Sequence, residues 1–503
     1  MEYLLGIDFG GSSSKATLID RNGKIICTAS EEYPMYYPKD GFCEQKAEDA
    51  YEACKHNIRA ILDKSGIRSQ DIVALALDAA THMAVLLDDQ DQVIRNVIHW
   101  SDSRSGEESA LLNREYLDTL RNKCYNQPSP LWTLPQLMWL KKHEPESLQK
   151  VHKLLFMKDY IRHRLTGDYY TDSIEAMGCL MMDETTGSWD PELCALAGIP
   201  MSAMPEVKDP AFIVGGPTAE ACRETGLSPN TRIIVGTTDT ALEVYASGSI
   251  RKGQATVKLA TAGRICPVTE QGFCHEMLVN YRHVVPGMWY PGTANKTSAA
   301  SYRWYRDVLC AGEMEEAKRQ GVSAYSLMTA AAALTPPGAE GLCFHPYLQG
   351  ESTPYMDNNL RASFTGVSGM HTKGHFSRAV MEGVCFSLKD SLNLLKQLGI
   401  APTTANIIGG GGSTPVWAQM TADILNLPLT KVKNDDSSLG SAMLAGVAVG
   451  IFSSFDHSVQ VCVEPVRMYT PDPKNVELYE RYFERYRAIH DALAPIYTKY
   501  KEI

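Results

Sequence analysis

The sequence predicts an α/β protein built from two related lobes that face a common cleft. Two strands joined by a turn of small residues open the chain, and a second hairpin of the same kind follows about half a chain later. In each half an amphipathic helical pattern leads into an apolar strand. One unit repeated over the chain indicates two lobes, and a ligand that contacts both would bind in the cleft between them.

The first hairpin comprises apolar runs at 3–7 and 16–19, and a turn at 20–23 leads on to a third strand. That third strand excludes the helix-opening glycine loop of dinucleotide-binding and P-loop folds. Glycines let N–H groups point into a concavity, hydroxyls and a lysine add donors, and a carboxylate can hold hydrated Mg²⁺. This composition favours phosphate binding, with a purely structural turn as the alternative, and its candidate residues are Asp8, Gly10, Gly11, Ser12, Ser13 and Lys15.

The other elements follow from periodicity. A helix at 51–62 leads to a strand at 72–78, and in the second half a helix at 376–398 leads to 405–412, which ends in four glycines. The tail at 473–501 has apolar residues at helical spacings, which predicts a helix packed on a lobe.

Composition excludes several classes of protein. At 503 residues and 44% apolar content the chain is long enough for two hydrophobic cores. A net charge of −11 without basic clusters argues against nucleic-acid binding. No segment resembles a leader or a bilayer-spanning run, and thirteen scattered cysteines without a Cys-x-x-Cys pair suit reduced thiols, so we expect a cytoplasmic protein without a membrane partner.

Two segments are candidates for substrate binding. His82 lies in a turn at the carboxyl end of a predicted strand, where open α/β sheets bind ligands, and the alternative is a structural histidine. Trp100, Asp102 and Arg104 combine a flat ring with charged groups, which suits a polyol. An ion pair within a surface loop explains the same three residues equally well.

Asp239 follows a buried strand and begins a predicted helix. A carboxylate at this position is either a helix cap, which stabilises a helix by about 1 kcal/mol, or a general base that deprotonates an attacking hydroxyl in phosphoryl transfer. The local sequence does not decide between the two.

Motifs along nearly the whole chain resemble the FGGY carbohydrate kinases in order and spacing. They comprise Asp8 to Gly11 with Lys15, 158–161 with 165–167, 236–239, 336–342, 345–351, 378–383, 409–413 with 417–419 and 422–423, 439–442 and 469–471. Within this family, the Thr81–His82 pair and the loop from Trp100 to Arg104 look most like those of xylulose kinases.

The resemblance implies two ribonuclease-H-like lobes, as in actin and heat-shock chaperones, with ATP and a sugar in the cleft and Mg²⁺ bridging the phosphates. It divides the chain near Ser247 into a sugar-binding lobe, 1–247, and a nucleotide-binding lobe, 248–503. Asp239 becomes the base and Asp8 organises the metal. The implied sugar contacts are Thr81, His82, Trp100, Asp102, Arg104 and Asp239. The implied phosphate and nucleotide contacts are Gly10, Gly11, Ser12, Ser13, Lys15, Thr261, Ala262, Gly263, Gly410, Gly411, Gly412 and Ser413.

The chain departs from the family pattern at four places. The second turn, 260–263, lacks a glycine and a hydroxyl, Gly11 stands where threonine is common, and Ser352 stands where arginine is frequent. In 78–83 only the histidine of the polar xylulose-kinase motif is kept, so the pocket wall offers fewer hydrogen bonds.

We therefore expect an ATP-dependent kinase that converts D-xylulose to D-xylulose 5-phosphate. Kinases of another pentulose, of gluconate or of a related polyol are the alternatives on the same chemistry. An ATP-cycling chaperone module and a degenerate kinase kept as a sensor are alternatives of other classes. Homodimers are common in the family, although no segment here specifies an interface.

Overall fold

The computed structural model describes residues 2–500. Numbered in chain order, its strands are β1 Tyr3–Phe9, β2 Ser13–Asp20, β3 Ile25–Glu32, β4 Glu44–Gln45, β5 Ile72–Ala79, β6 Ala84–Leu87, β7 Val97–Ile98, β8 Lys153–Phe156, β9 Tyr170–Asp172, β10 Met182–Asp183, β11 Ser188–Trp189, β12 Glu206–Lys208, β13 Ile213–Gly215, β14 Arg232–Ile234, β15 Thr237–Thr238, β16 Gln254–Leu259, β17 Gly263–Pro267, β18 Cys343–His345, β19 Ser363–Thr365, β20 Thr404–Ile408, β21 Leu429–Val432 and β22 Pro465–Tyr469.

The helices, numbered in the same way, are α1 Ala47–Ser65, α2 Gly106–Glu115, α3 Leu117–Cys124, α4 Thr133–His143, α5 Pro145–Leu148, α6 Met157–Thr166, α7 Ser173–Gly178, α8 Pro191–Ala197, α9 Ala219–Thr225, α10 Asp239–Ala246, α11 Ala299–Leu309, α12 Ala311–Gln320, α13 Ala324–Ala333, α14 Lys373–Gln397, α15 Gly409–Gly412, α16 Pro415–Leu425, α17 Ser437–Ala448, α18 Phe455–Cys462 and α19 Pro473–Lys499.

The first sheet contains the N-terminal hairpin. Its strands run in the order β13-β14-β5-β1-β2-β3, with β15 paired to β5. β1 and β2 are antiparallel as predicted, β3 extends them, and β1 lies parallel to β5. Helices α1 and α6 cover one face of this sheet, and α10 and α17 pack against the other. The carboxyl ends of β1 and β5 therefore meet at one edge of the sheet.

The second sheet repeats this plan with fewer strands, in the order β17-β16-β20-β21-β22. β16 and β17 form the predicted second hairpin, and β16 lies parallel to β20. Helices α14 and α16 bury the apolar side chains of one face. The prediction of two related α/β halves is confirmed, because each sheet begins with a hairpin whose first strand runs parallel to a later strand.

Two helices join the halves. α10 begins at the edge of the first sheet and then lies against β16, where Ser247 Oγ and Thr256 Oγ1 are 2.8 Å apart. α17 comes late in the chain and nevertheless packs on β1, so closely that a Cβ on Gly6 would lie 2.0 Å from the carbonyl oxygen of Ser438. α17 follows Ser247 in the chain but shares a hydrophobic core with the first sheet, so the packing does not divide at Ser247. The boundary near Ser247 therefore stays a prediction.

The remaining expectations concern elements away from the cleft. The C-terminal helix is present as α19, whereas Lys501, the last residue of that prediction, lies outside the described residues. All thirteen cysteines are free thiols. Within residues 2–500 no helix combines the length and the hydropathy that a bilayer span requires.

Candidate functional site

Three carboxylates meet where the first sheet ends. Asp8 on β1 and Asp78 on β5 occupy paired positions of neighbouring parallel strands. β15 pairs with the same end of β5, and Asp239 follows as the first residue of α10. The predicted start of a helix at Asp239 is confirmed, and the parallel pairing brings the side chain to the edge where Asp8 lies.

Burial dominates the electrostatics of this edge. Desolvation raises the pKa of Asp8 to about 7, a hydrogen bond with Asp78 opposes the rise, and the charge of Asp239 adds to it. Desolvation and the nearby Asp8 also raise the pKa of Asp78 well above its ordinary value. Asp78 Oδ2 accepts a 2.6 Å hydrogen bond from Ser441, while Oδ1 is buried and has no partner among the described residues. The Asp8–Asp78 pair therefore holds a proton more readily than either carboxyl would in water.

Asp239 uses one oxygen locally and leaves the other free. Oδ1 accepts hydrogen bonds from the backbone N–H of Thr240 at 2.5 Å and from its hydroxyl at 3.1 Å. Thr238, the residue that precedes the helix, makes no side-chain cap. Oδ2 of Asp239 has no protein partner within residues 2–500 and remains available to a substrate hydroxyl.

The first turn presents unsatisfied donors. The N–H groups of Gly11 and Ser12 have no protein acceptor in the described part of the chain, and neither do the exposed hydroxyls of Ser12 and Ser13. The turn itself is fixed: Gly10 N–H donates to Ser13 O at 2.9 Å, and the Gln45 side chain donates to Gly11 O at 2.6 Å. Free N–H groups in a rigid turn form an anion-binding concavity.

Lys15, the predicted cation of this turn, is already paired. Its Nζ lies 2.7 Å from Asp436 Oδ2, and Asp436 is the N-cap of α17. The Lys15 side chain retains 43% exposure, so its ammonium group can also reach an anion above the turn. Asp436 connects the first turn to the helix that crosses from the second half.

The second turn repeats this arrangement despite its altered sequence. Thr261 and Ala262 are exposed, and their N–H groups have no protein acceptor among the described residues. Gly263 is different, because its N–H donates to Asn295 O at 3.0 Å. The missing serine hydroxyl removes one side-chain donor, but two backbone donors remain.

A cavity of about 380 Å³ lies beside the second turn. Thr261 forms one wall, and Gly410 and Gly411 of α15 form another, so the structure brings together two of the predicted nucleotide-binding segments. Gly412 and Ser413 do not line it. Aromatic and polar side chains complete the wall, namely Tyr302, Arg303, Tyr325, Thr329 and Trp417.

The second sheet directs two cations toward α10. Lys258 on β16 is paired in register with Arg264 on β17, and Lys258 Nζ lies 2.7 Å from Glu243 Oε2. Asp239 lies one helical turn before Glu243, on the same face of α10. Arg264 is close enough to Asp239 for the two charges to interact, yet it has no hydrogen-bond or ion-pair partner within residues 2–500.

The aromatic side chain of Tyr281 covers the Thr81–His82 turn and is close enough to Arg264 and Thr81 to interact with both. Its hydroxyl is 2.8 Å from His82 Nε2. His82 Nδ1 lies 3.0 Å from Glu175, and burial lowers the pKa of the imidazole to about 3. Both ring nitrogens of His82 are thus engaged, and Thr81 is the more exposed member of the pair. Contact of either residue with a sugar stays a prediction.

Asp102 and Arg104 bind each other. Two oxygens of Asp102 accept hydrogen bonds from the Arg104 guanidinium at 2.8–3.0 Å, and both side chains are only 1% exposed. Arg104 also stacks on Phe42 and pairs with Glu44. Trp100, in contrast, is 45% exposed. The structure thus contains the ion pair within the loop, between Asp102 and Arg104. Contact of Trp100, Asp102 or Arg104 with a sugar stays a prediction.

Sequence reasoning missed several residues of the site. Asp78 and Arg264 looked like ordinary strand residues, although their positions beside Asp8 and Lys258 would follow from aligning the strands. Glu175 and Tyr281 carry no local signal, because each reaches His82 from a distant segment. The aromatic residues of the cavity likewise come from helices whose packing the sequence does not specify.

The carboxylate edge suits magnesium. Mg²⁺ prefers hard oxygen ligands and usually keeps several waters, with one or two carboxylates and substrate phosphates completing its shell. Asp8 and the unpartnered Asp78 Oδ1 supply such oxygens. Among residues 2–500 no group of three or more acidic, histidine or cysteine side chains could hold a metal alone, so phosphate oxygens would have to complete the shell.

Two models of one family match the chain in succession. The N-terminal domain of the FGGY family of carbohydrate kinases matches residues 3–245, and the C-terminal domain of the same family matches residues 253–449.

Relatives match over the full length. A xylulose kinase of Bacillus subtilis is 32% identical, with 100% of this chain and 99% of the relative covered. A gluconokinase of Bacillus licheniformis is 28% identical, with 99% of this chain and 97% of the relative covered. Among solved structures, a xylulose kinase from Rhodospirillum rubrum superimposes with a TM-score of 0.90 at 28% identity, covering 99% of this chain and 100% of that one.

Proposed function

This chain belongs to the FGGY family of carbohydrate kinases, and we propose that it transfers the terminal phosphoryl group of ATP to a hydroxyl of D-xylulose. The observation that carries this proposal is the position of Asp239, which begins α10 at the edge of the sheet and is close enough to Asp8 and to Arg264 of the second hairpin for their charges to interact. Similarity over the full length to xylulose kinases supports D-xylulose as the acceptor.

Asp239 is the general base in this proposal. Oδ1 is held by the N–H and hydroxyl of Thr240, which fixes the orientation of the carboxylate. Oδ2 accepts the proton of the attacking sugar hydroxyl, and a positioned base of this kind contributes about 10²- to 10⁴-fold in rate. Its placement on the first turn of a helix keeps the carboxylate rigid.

The two hairpin turns hold the phosphates. Each offers two free backbone N–H groups, Gly11 and Ser12 in the first turn and Thr261 and Ala262 in the second. The cavity beside Thr261 receives the nucleoside, so the phosphate chain extends from the second turn toward the first. Because phosphoryl transfer depends on alignment and charge stabilisation, this placement contributes more than the base.

Asp8 would hold a hydrated Mg²⁺ with help from Asp78. When bound, the ion would neutralise charge on the phosphates. To hold the ion, Asp8 must be ionised. The pKa of Asp8 and that of Asp78 are both raised, so only one of the two buried carboxyl groups loses its proton readily. Ser441 donates to Asp78 and so favours one orientation of the pair.

The sugar would lie between the Thr81–His82 turn and Asp239. Tyr281 bonds to His82, lies close to Thr81 and forms part of the wall of the pocket. The Asp102–Arg104 ion pair shapes the adjoining loop and leaves Trp100 exposed to cover the C–H face of the sugar. We infer that the protein works in the cytoplasm, where ATP is available, and a homodimer stays a prediction.

A coupled assay of ADP release over D-xylulose, other pentuloses, gluconate and polyols tests the proposal. We expect turnover that depends on D-xylulose and that Asp239→Asn abolishes. ATP hydrolysis that no sugar stimulates would reject the kinase function and favour a chaperone-like cycle. Nucleotide binding without any turnover would favour a sensor.

Gluconate is the second candidate acceptor, and Arg264 is the observation that favours it. This guanidinium lacks a protein partner within the described residues and lies near Tyr281 and Asp239. A carboxylate at the far end of an aldonate would pair with it. A gluconokinase is also among the full-length relatives.

A further inference from the structure

His99 directs an unused hydrogen-bond donor at the first phosphate turn. The residue directly follows β7 and is 3% exposed. Its Nε2 is buried and has no hydrogen-bond partner within residues 2–500. A Cβ built on Gly11 would lie 3.5 Å from that nitrogen and 3.8 Å from the neighbouring Cε1, so the ring edge borders the turn at Gly11. A buried polar atom without a partner is uncommon in native proteins and calls for an explanation.

The hydrogen bonds of the ring determine where its proton lies. Ser101 N–H donates to Nδ1 of His99 at 3.2 Å, and the Ser101 hydroxyl lies 2.8 Å from the same nitrogen. Nδ1 is therefore an acceptor, which assigns the single proton of the neutral ring to Nε2. Burial lowers the pKa of His99 to about 4, in keeping with a neutral ring. The atom that borders Gly11 is consequently an N–H donor.

The loop that carries His99 is rigid. Its backbone N–H donates to Cys43 O at 2.9 Å, and its carbonyl accepts from Asp102 N–H at 3.0 Å. Asp102 in turn is clamped by Arg104. These contacts fix the backbone at His99, and the two Ser101 contacts to Nδ1 hold the ring with Nε2 beside the turn.

Glycine at position 11 places no side chain between the His99 ring edge and the turn. Any larger side chain there would begin in van der Waals contact with the His99 ring and cover its edge. With glycine, the Nε2–H of His99 borders the same turn in which the N–H groups of Gly11 and Ser12 lack a protein acceptor among the described residues. Three donors with no protein acceptor in the described chain form a site for an oxyanion.

We propose that His99 is a phosphate-binding residue, whose Nε2–H donates to an oxygen of the terminal phosphoryl group of ATP through the opening left by Gly11. This inference rests on the proposed function in that it takes ATP as the nucleotide. The terminal group is the occupant because the nucleoside cavity borders the second turn, whereas the first turn lies next to Asp8 and Asp239, where the transfer takes place. The histidine thus supplies a side-chain donor that Gly11 lacks.

Nucleotide binding without sugar tests the inference. Affinities for the magnesium complexes of ADP and of a non-hydrolysable ATP analogue are measured on the full chain for the wild type, His99→Leu and His99→Gln. We expect His99→Leu to lower the affinity for the analogue about tenfold or more, which is the effect of losing a hydrogen bond to a charged group. The affinity for ADP should stay unchanged. Glutamine places an amide N–H near the position of Nε2 and should retain most of the affinity.

Rescue from position 11 separates binding from a structural role. Gly11 does not have a positive φ, and a Cβ meets His99 only at ordinary contact distance, so threonine fits. Gly11→Thr in the His99→Leu background restores a hydroxyl donor above the turn, and we expect it to recover analogue affinity and kcat. Thermal melting of each variant confirms folding.

The inference is overturned if His99→Leu binds the analogue as tightly as the wild type does, or if it loses affinity for ADP and for the analogue to the same degree. It is also overturned if Gly11→Thr does not restore the affinity of His99→Leu for the analogue. Failure of the proposed function has a different signature, namely a wild-type protein that shows no sugar-dependent ADP release while the contrast between the two nucleotides persists.

Discussion

Asp8 and Asp78 occupy paired positions on neighbouring parallel strands, and their two buried carboxyl groups interact at the edge where the cleft begins. Two carboxyl groups in one buried pair cannot both ionise freely, so the pair retains a proton that an exposed pair would lose. Asp239, the proposed base, adds a third carboxyl group to the same edge.

The pair makes stability depend on pH in the nucleotide-free protein. The pKa of Asp8 rises from 3.8 to about 7 on folding, so the native state binds more protons than the unfolded state between these values. Stability should therefore fall as pH rises from about 4 to 7, by up to about 1.4 kcal/mol per pH unit for one proton. Urea unfolding at a series of pH values measures this slope.

Asp78→Asn should flatten that slope, because it removes a second carboxyl group whose pKa is raised on folding, and because asparagine can donate a hydrogen bond that favours ionised Asp8. Asp118→Asn, on the exposed surface of α3, is the matched control and should leave the slope unchanged. A slope in Asp78→Asn as steep as that of the wild type would contradict the shared proton.

Asp239→Asn should lower kcat by about 10²- to 10⁴-fold with little change in the KM for sugar, since it removes a base and keeps the shape. Glu243→Gln, one turn further along the same helix, is the control and should retain most of kcat. Steady-state kinetics with D-xylulose give kcat and KM for both variants and so test the role of Asp239 as a base. A rise in KM without loss of kcat would assign Asp239 to binding instead.

Tyr281→Phe should raise the KM for sugar several-fold, because it removes the hydroxyl that bonds to His82 and so loosens the Thr81–His82 turn. His82→Ala should raise that KM further and also lower the melting temperature, since it leaves Glu175 buried without its partner. Calorimetry together with kinetics separates the two effects. A loss of kcat at unchanged KM would speak against a sugar-binding wall here.

Gly409→Ala should weaken ATP binding and destabilise the protein by roughly 1 kcal/mol or more, because its φ of 84° disfavours a side chain. A Cβ there would also lie 2.6 Å from Leu259 O. Gly410→Ala is the matched control within the same turn, where nothing lies within 4 Å of the added carbon, so its stability should be unchanged. Equal destabilisation by both variants would show that the turn adapts, contrary to this expectation.

Arg264→Met should raise the KM for gluconate about tenfold or more and leave the KM for D-xylulose nearly unchanged, since only the aldonate has a carboxylate to pair with the guanidinium. Kinetics with both acceptors test this. An equal loss of kcat with both would place Arg264 at the phosphoryl group rather than at the far end of the acceptor.

The sequence alone determined the features that depend on neighbouring residues. Alternating apolar residues around turns of small residues predicted both hairpins, and helical spacing predicted α19 and the helix before β5. The start of α10 at Asp239 followed from a buried strand that ends just before it. These patterns are local, because backbone hydrogen bonding in a hairpin or helix is satisfied within a short segment.

The tertiary structure decided everything that joins distant segments. Asp78 became a partner of Asp8 through strand order, and Lys15 met Asp436 because α17 crosses to the first sheet. Arg104 met Glu44 of a distant strand, and His99 came to lie beside Gly11. Such relationships depend on which surfaces pack together over hundreds of residues, and packing is set by the shape and burial of the whole fold rather than by any local pattern.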